Sequence, residues 1–233
     1  MDEFSNYETY LYISPNKFII TVNTSLRKTV YYEELAVNDP SDNKNFEKLD
    51  QFLNHNIFKI EKKLKSFVEK IDIILDLDIF FPVEISIKNN NYKDYIDLKN
   101  LNYLLYEAKE VCKKTIDQKK IIHMIINNYQ IDNKIYSSLP DNIKCSSYSL
   151  DLKLICISNS LIREIEIILK KYHISLNQLL SGSYIKNFFL NDERDIFLMA
   201  KKMIDGHNPN EVILKDKSEK NQGFFEKFFH FFS

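Results

Sequence analysis

Histidine and cysteine are the residues of this 233-residue chain that could bind a metal or act as nucleophiles. The five histidines, at positions 55, 123, 173, 207 and 230, are scattered, and none pairs with Cys, Asp or Glu at metal-ligand spacing. His123 lies in an apolar run, which is more typical of a hydrogen-bonded core residue than of a ligand. Cys112 and Cys156 also lie in apolar segments, which favours small core residues over nucleophiles. The pattern therefore predicts no metal site.

Phosphate binding is disfavoured by the glycine content. The three glycines stand at 182, 206 and 223, so neither a G-x-x-x-x-G-K nor a G-x-G-x-x-G loop exists. The acidic run Asp192–Asp195 could form a site, but an acid-rich helix start explains it more simply. Asp76 and Asp78 alternate as edge or solvent-facing charges on a strand would. We expect no cofactor and no enzyme, with a nucleotide-dependent enzyme of unrecognised site as the alternative.

The composition indicates a folded protein in a reducing compartment. Hydrophobic residues make up 44% of the chain, enough for a sizeable core, and a net charge of −1 gives no electrostatic reason to bind nucleic acid. Three cysteines without a CxxC pair argue against a disulfide framework and favour the cytoplasm. There is no apolar run of about 18 residues, so we expect no membrane-spanning helix.

The last eleven residues form the sharpest local pattern. Drawn as a helix, they place six phenylalanines on an arc of roughly 160°: Phe224, Phe225, Phe228, Phe229, Phe231 and Phe232. Six exposed phenylalanines would promote aggregation unless something covers them. The lipid interface is the predicted cover; folding back onto the domain and docking in a partner's groove are the alternatives. Because one short tail should bind weakly, stable attachment favours several tails held together by self-association.

Strands and helices alternate along the rest of the chain. The pattern predicts strands at 10–22 (two, joined by a turn at Ser14-Pro15-Asn16), 29–35, 71–77, 82–87, 120–126, 129–135, 150–157 and 174–180. It predicts helices at 46–71, 98–115, 161–172 and 184–204, the last with an interruption near Asn191. The run Asn89–Asn91 predicts a break, and Asn159 or Ser160 is predicted to cap the third helix. The alternation predicts an α/β or α+β protein.

Several stretches resemble, in order and spacing, the bacterial cell-division family FtsA. They are Leu98–Lys114, Ile121–Asp132, Leu150–Ser160 with the helix that follows, Ile174–Leu180, Asn191–Arg194 and the Phe-rich tail. In that family, an apolar strand ending in a Tyr-x-Ile-Asp-like sequence belongs to a strand–helix–strand–strand insertion in an actin-like body. The tail looks like the family's C-terminal membrane-targeting helix. The resemblance covers roughly residues 8–195 and the tail.

The resemblance implies an α/β (α+β) fold in which a partial actin-like (ribonuclease H-like) half-domain occupies 1–83 and 174–205. The inserted subdomain would occupy 84–173, a linker 206–222 and the amphipathic helix 223–233. The family's first Gly-rich phosphate hairpin should fall at Tyr12–Ile20, which contains no glycine, and the second should follow Arg194. No nucleotide-binding residue carries over. We therefore expect a truncated, degenerate relative without ATPase activity.

The function that the resemblance implies is that of a division adaptor on the cytoplasmic face of the membrane, at the division site. Its expected partners are the lipid surface and division proteins, with direct tethering of FtsZ left open. Because loss of the second half-body should uncover surface, self-association is expected too. The alternative in the same structural class is a platform protein for pilus or secretion assembly, since actin-like pilus proteins carry a related insertion.

Overall fold

The computed structural model of the chain describes residues 7–37, 45–96, 98–140, 143–190 and 193–212. The chain divides into two compact units. The first comprises Met1–Pro82, Thr115–Ile122 and Ile155–Asp205, and the second comprises Val83–Lys114, His123–Leu154 and Gly206–Ser233. Strands and helices alternate across both, as the sequence pattern predicts.

The elements follow one another in this order: β1 (Tyr7–Ile13), β2 (Lys17–Thr24), β3 (Thr29–Ala36), α1 (Asn45–Leu64), β4 (Lys70–Leu75), β5 (Phe81–Tyr95), α2 (Leu98–Thr115), β6 (Lys119–Ile131), β7 (Lys134–Tyr136), β8 (Lys144–Ser158), α3 (Asn159–Lys171), β9 (Ser175–Ser181), α4 (Gly182–Phe188) and α5 (Ile196–Ile204). The predicted α/β (α+β) class is confirmed by this order.

The first unit is built on a five-stranded sheet with the order β3-β2-β1-β4-β9. Strands β1, β2 and β3 form an antiparallel meander, and β4 and β9 run parallel to β1. The β1–β2 turn lies at the predicted Ser14-Pro15-Asn16, where the Ser14 amide donates to the Lys17 carbonyl (3.0 Å). Three antiparallel strands followed by two parallel ones are the order of a ribonuclease H-like half-domain, which agrees with the predicted fold.

Both faces of this sheet are covered by helices. On one face, α1 and α3 contribute Leu53, Ile60 and Leu169 to a core that includes Ile73 of β4. On the other face, α4 and α5 pack onto the sheet and complete a second core. Its members are Tyr10, Tyr12, Ile19, Ile74, Leu180, Ile185, Phe189, Phe197, Met199, Ala200 and Met203. Residues 9–13 of β1 and 71–75 of β4 are buried without interruption, because helices cover both faces of the sheet.

Helix α3 lies in the first unit, whereas the predicted insertion, residues 84–173, included it. Its buried face belongs to the same core as α1, with Ile162, Ile165 and Leu169 packed there. Its C-terminal end is also tied to α1, because the Tyr172 hydroxyl donates to Asp50 Oδ1 (2.7 Å). Ser158 caps the helix, because its hydroxyl accepts from the Ser160 amide (3.3 Å), whereas Asn159 or Ser160 was the predicted cap.

Two predicted boundaries are corrected by long-range contacts. Strand β5 continues through Asn89–Asn91, where a break was expected. Pairing with the neighbouring strand stabilises it, and the Asn89 side-chain amide donates to the Tyr148 hydroxyl (3.3 Å). Helix α1 ends at Leu64 rather than near 71, because Lys65 adopts a left-handed conformation (φ 55°) and Ile71 belongs to β4.

The second unit contains a four-stranded sheet with the order β5-β8-β6-β7. Helix α2 buries one face, which includes the predicted Leu101, Leu105, Ala108 and Cys112. The side chains of β6 and β8 supply further buried apolar residues, among them Met124, Ile126, Leu150 and Leu152. The three cysteines of the chain are all buried, and Cys112 and Cys156 are the core residues that the sequence predicted.

Asp72 of β4 is a buried carboxylate in the first unit, 8% exposed. Burial raises its pKa, although hydrogen bonds from the Asn177 side chain (2.7 Å) and the Gln178 backbone oppose the shift. A carboxyl whose pKa is raised by folding binds its proton more tightly in the native state, so its charged form destabilises that state at neutral pH. The penalty disappears as the pH falls through the folded-state pKa.

Replacing Asp72 with asparagine should therefore raise the free energy of unfolding at about pH 7 and raise it much less at about pH 4. Urea unfolding at the two pH values measures the difference. Asp78→Asn, at an exposed position, is the matched control and should change little at either pH. An equal gain at both pH values would contradict the burial argument.

Candidate functional site

The carboxyl ends of β1, β4 and β9 meet at one edge of the parallel part of the sheet, where ligands bind in proteins of this class. The β1–β2 turn, Ser14–Asn16, follows β1, and Asp76 follows β4. Strand β9 ends at Ser181, and α4 begins directly at Gly182. This edge is therefore the candidate site of the first unit.

Three polar side chains form a cluster there, which we call the Asp76 cluster: Tyr12, Asp76 and Lys186. The Tyr12 hydroxyl donates to Asp76 Oδ2 (2.5 Å), and Lys186 donates to the same carboxylate oxygen. Lys186 Nζ also lies 3.3 Å from the Tyr12 hydroxyl. The Asp76 backbone amide donates to the Ile13 carbonyl (2.8 Å), which holds the aspartate beside β1.

The electrostatics of the Asp76 cluster keep it paired. Burial raises the pKa of Tyr12, and the hydrogen bond to Asp76 raises it further, so the phenol stays protonated and donates. For Lys186, burial lowers the pKa, but the contacts with Asp76 and Tyr12 outweigh burial and raise it overall. The ammonium group therefore stays charged and occupied by the carboxylate.

Gly182 gives the Asp76 cluster its tight geometry. A Cβ atom at this position would lie 2.7 Å from the Asp76 Cβ and 2.9 Å from its Cα. Leu75 and Ser181 are register partners on the parallel strands β4 and β9, so the two chains leave the sheet side by side. Only a residue without a side chain allows this approach.

The chemistry available to the Asp76 cluster is limited. One carboxylate faces one ammonium group, so the pair carries no net charge to attract a phosphate. The adjacent turn has no glycine, and its Ser14 hydroxyl donates to the Lys17 carbonyl (3.0 Å). Within the described residues there is no group of three or more His, Cys, Asp or Glu that could hold a metal ion. The Asp76 cluster is best described as an ion pair, Asp76 with Lys186, at the carboxyl end of β4.

The segment that leads to the C-terminal residues is held on β6 in the second unit. The Ile126 amide donates to the Asn210 carbonyl (2.8 Å), and the Val212 amide donates to the Met124 carbonyl (2.8 Å). The buried His123 ring contacts Glu211 through Nδ1 and Oε1 at 2.6 Å. Residues 213–233 therefore follow a segment that is hydrogen-bonded to β6.

The six predicted membrane-binding phenylalanines, 224, 225, 228, 229, 231 and 232, lie outside the described residues. Of the predicted linker, 206–222, residues 213–222 also lie outside them, whereas residues 210–212 are hydrogen-bonded to β6 and are not a free linker. Among the described residues, no helix is long and apolar enough to cross a membrane. His123 is the buried, hydrogen-bonded residue that the sequence predicted. Asp195 caps α5 by accepting from the Phe197 amide (2.8 Å), which is the helix-start role expected of the acidic run.

Sequence reasoning missed the Asp76 cluster. Asp76 was expected to be an edge or solvent-facing charge, but its side chain is only 20% exposed and is paired with Lys186. Lys186 is 110 residues further along the chain, and no local pattern marks it. The available signal was Gly182, two residues after the end of a predicted apolar strand, because a glycine there indicates a close backbone approach.

Fold and site together define a mixed α+β protein with a ribonuclease H-like sheet whose strand-end charges are paired with each other.

No known protein family matches the sequence, and no curated protein matches it. The solved structures that align with this chain include the following three. A PilM–PilN type IV pilus biogenesis complex aligns with a TM-score of 0.48 and 7% identity, covering 78% of this chain and 49% of that one.

The cytoplasmic domain of EpsL, an inner-membrane component of the type II secretion system of Vibrio cholerae, aligns with a TM-score of 0.37 and 11% identity, covering 77% of this chain and 57% of that one. A Bacteroides thetaiotaomicron protein with an actin-like ATPase fold and unknown function aligns with a TM-score of 0.32 and 14% identity, covering 82% and 59%. The chain thus spans about half to three-fifths of these structures. Its own strand order defines the fold class.

Proposed function

We propose that this protein is a membrane-associated assembly adaptor that does not hydrolyse nucleotide. The observation that carries the proposal is the phenylalanine face of residues 224–232, which suits insertion at the lipid headgroup boundary. The folded units would then present protein-binding surfaces next to the membrane. Attachment, rather than chemistry, would be the protein's contribution.

The anchored segment before the tail supports this role. Because residues 210–212 are hydrogen-bonded to β6, a force on the tail is transmitted to the second unit at Asn210 and Val212. Eleven residues, 213 to 223, separate this anchor from Phe224. A stretch of that length extends at most about 35–40 Å. The second unit would therefore stay within that distance of the lipid surface.

We base the proposed absence of nucleotide hydrolysis on the residues at the carboxyl ends of β1 and β4. ATP-binding proteins of the actin-like class hold phosphate with Gly-rich hairpins, and the corresponding Ser14–Asn16 turn contains no glycine. The charges beside it are already paired, Asp76 with Lys186. A nucleotide-dependent enzyme is the alternative, and micromolar binding of magnesium ATP in a calorimeter would favour it.

Liposome flotation tests the membrane role. The intact chain should float with anionic vesicles, and a chain ending at Gln222 should stay at the bottom of the gradient, because it lacks the apolar face that inserts. The basic residues Lys215, Lys217 and Lys220 precede the tail, so binding to neutral vesicles should be weaker.

The truncated chain serves as its own folding control, since it keeps every described residue, and its circular dichroism should match that of the intact chain. If both chains float equally, or neither floats, the phenylalanine face is not the membrane anchor. Folding back onto the domain or docking in a partner's groove would then account for the tail.

The finer proposal is a role in cell division, based on the FtsA-like order of the sequence motifs. A pilus or secretion platform is an assembly of the same general kind, at a membrane and with protein partners. A fluorescent fusion separates the two roles. Recruitment to the division site supports the division adaptor, and localisation at the pole or at an envelope assembly supports the platform.

A further inference from the structure

The outer edge of the four-stranded sheet is formed by β5, a strand of 15 residues. Strand β8 lies on one side of β5, and no described strand lies on the other. The Ile96 amide donates to the Ile143 carbonyl where β5 ends and β8 is about to begin, so the two strands are antiparallel. A long, unprotected edge presents a row of backbone donors and acceptors that can pair with another strand.

The two faces of this edge strand differ in a regular way between residues 83 and 90. Val83, Ile85 and Ile87 are half-buried, so their apolar side chains remain partly open at the edge. Glu84 and Lys88 point to the opposite, exposed face. Apolar side chains left half-covered at an edge would gain from a further strand beside them.

The charges on the exposed face of one copy match those of a second copy related to it by a two-fold axis at Ser86. If β5 pairs antiparallel with another β5 and the two Ser86 residues face each other, Glu84 of each copy lies opposite Lys88 of the other. Residues directly opposite have Cβ atoms about 4.5–5.5 Å apart, and opposite charges there stabilise the pair. On the inner face the same register places Ile85 opposite Ile87.

Glu84 and Lys88 of the same chain do not pair with each other. Glu84 and Lys88 are four residues apart on one strand, roughly 13 Å, which exceeds the screening length of about 8–10 Å in physiological salt. Neither makes an ion pair with a described residue. A symmetric partner brings both charges within reach at once.

We propose that two copies of this protein associate through the β5 edge, antiparallel about a two-fold axis at Ser86. The interface is isologous, so each contact occurs twice. The second copy is the occupant that this edge fits, because one strand supplies both halves of the charge pattern and both halves of the apolar pattern. The proposal rests on the edge strand and is independent of membrane binding.

Charge reversal on the full-length chain tests the register without lipid. Glu84→Lys and Lys88→Glu each place like charges opposite each other twice, so each variant should raise the dimer dissociation constant on the order of ten-fold or more. The double variant restores opposite charges with reversed sign and should return to the wild-type value. Sedimentation velocity measures all four proteins.

Mixing the two single variants gives a stricter outcome. A Glu84→Lys copy carries two lysines on this face and a Lys88→Glu copy carries two glutamates, so the mixture should form a heterodimer that neither forms alone. A folding defect cannot produce this rescue. Association through the phenylalanine tail would be unchanged in all variants, and that result would overturn the proposal.

A cross-link locates the axis. The native cysteines are all buried, so Ser86→Cys introduces an exposed thiol that faces its own copy at a distance suited to a disulfide. Mild oxidation should give a covalent dimer. Asn90→Cys, on the same face, is the control, because two such residues would lie roughly 27 Å apart. Equal cross-linking by both variants, or none by Ser86→Cys, would overturn the assigned register.

Discussion

Replacing Gly182 with alanine should lower the free energy of unfolding by about 1–3 kcal/mol, and valine should lower it further. The added Cβ would stand 2.7 Å from the Asp76 Cβ and 2.9 Å from its Cα. Neither atom belongs to the flexible end of a side chain, so β4 and β9 would have to separate. Urea unfolding followed by circular dichroism measures the loss.

Two control variants isolate the steric cause. Ser183→Ala changes an exposed neighbour at the same helix start and should cost little. At Gly206, by contrast, no heavy atom lies within 4 Å of an added Cβ, but φ is +81°. Alanine there tests backbone strain, at a cost of roughly 1 kcal/mol. If Gly182→Ala is as stable as the wild type, the strand ends are further apart than described.

Replacing Phe228 and Phe229 with glutamate should reduce the partition coefficient onto anionic vesicles by about 30-fold or more. Each phenylalanine contributes at most about 1.5–3 kcal/mol when fully buried, and two new carboxylates would be repelled by anionic lipid. A loss of about 2 kcal/mol corresponds to this factor. Vesicle co-sedimentation over a lipid titration measures it.

The matched control for the tail alters its polar face. Glu226→Gln with His230→Gln leaves all six phenylalanines in place and should bind vesicles at least as well as the wild type. If the polar-face variant loses as much binding as the phenylalanine variant, the amphipathic arrangement is not what drives attachment. Secondary structure and unfolding midpoint should be the same in both variants.

The two proposals reinforce each other without depending on each other. A dimer formed through β5 would carry two tails, and the second tail would bind as an intramolecular event at high effective concentration. Reversal of Glu84 should then weaken vesicle binding by the loss of avidity. Loss of the tail should leave the β5 dimer intact.

Local patterns in the sequence predicted the local structure. Apolar runs bounded by turn residues located β1, β2 and β9, and helical spacing located α2 and α3. Short apolar runs between turn residues are typical of strands, and a helix repeats its buried positions at fixed intervals. The three glycines likewise excluded the known phosphate loops from composition alone. The spacing of the six phenylalanines in the tail is likewise read from the sequence itself.

The tertiary structure alone decided which distant residues meet. Lys186 pairs with Asp76 across 110 residues, and Glu211 meets His123 across 88. The assignment of α3 to the first unit and the outer position of β5 among the described strands also depend on which strands become neighbours. Periodicity specifies which face of an element is buried, but strand order and register arise from the packing of the whole chain, and they determine what each face meets.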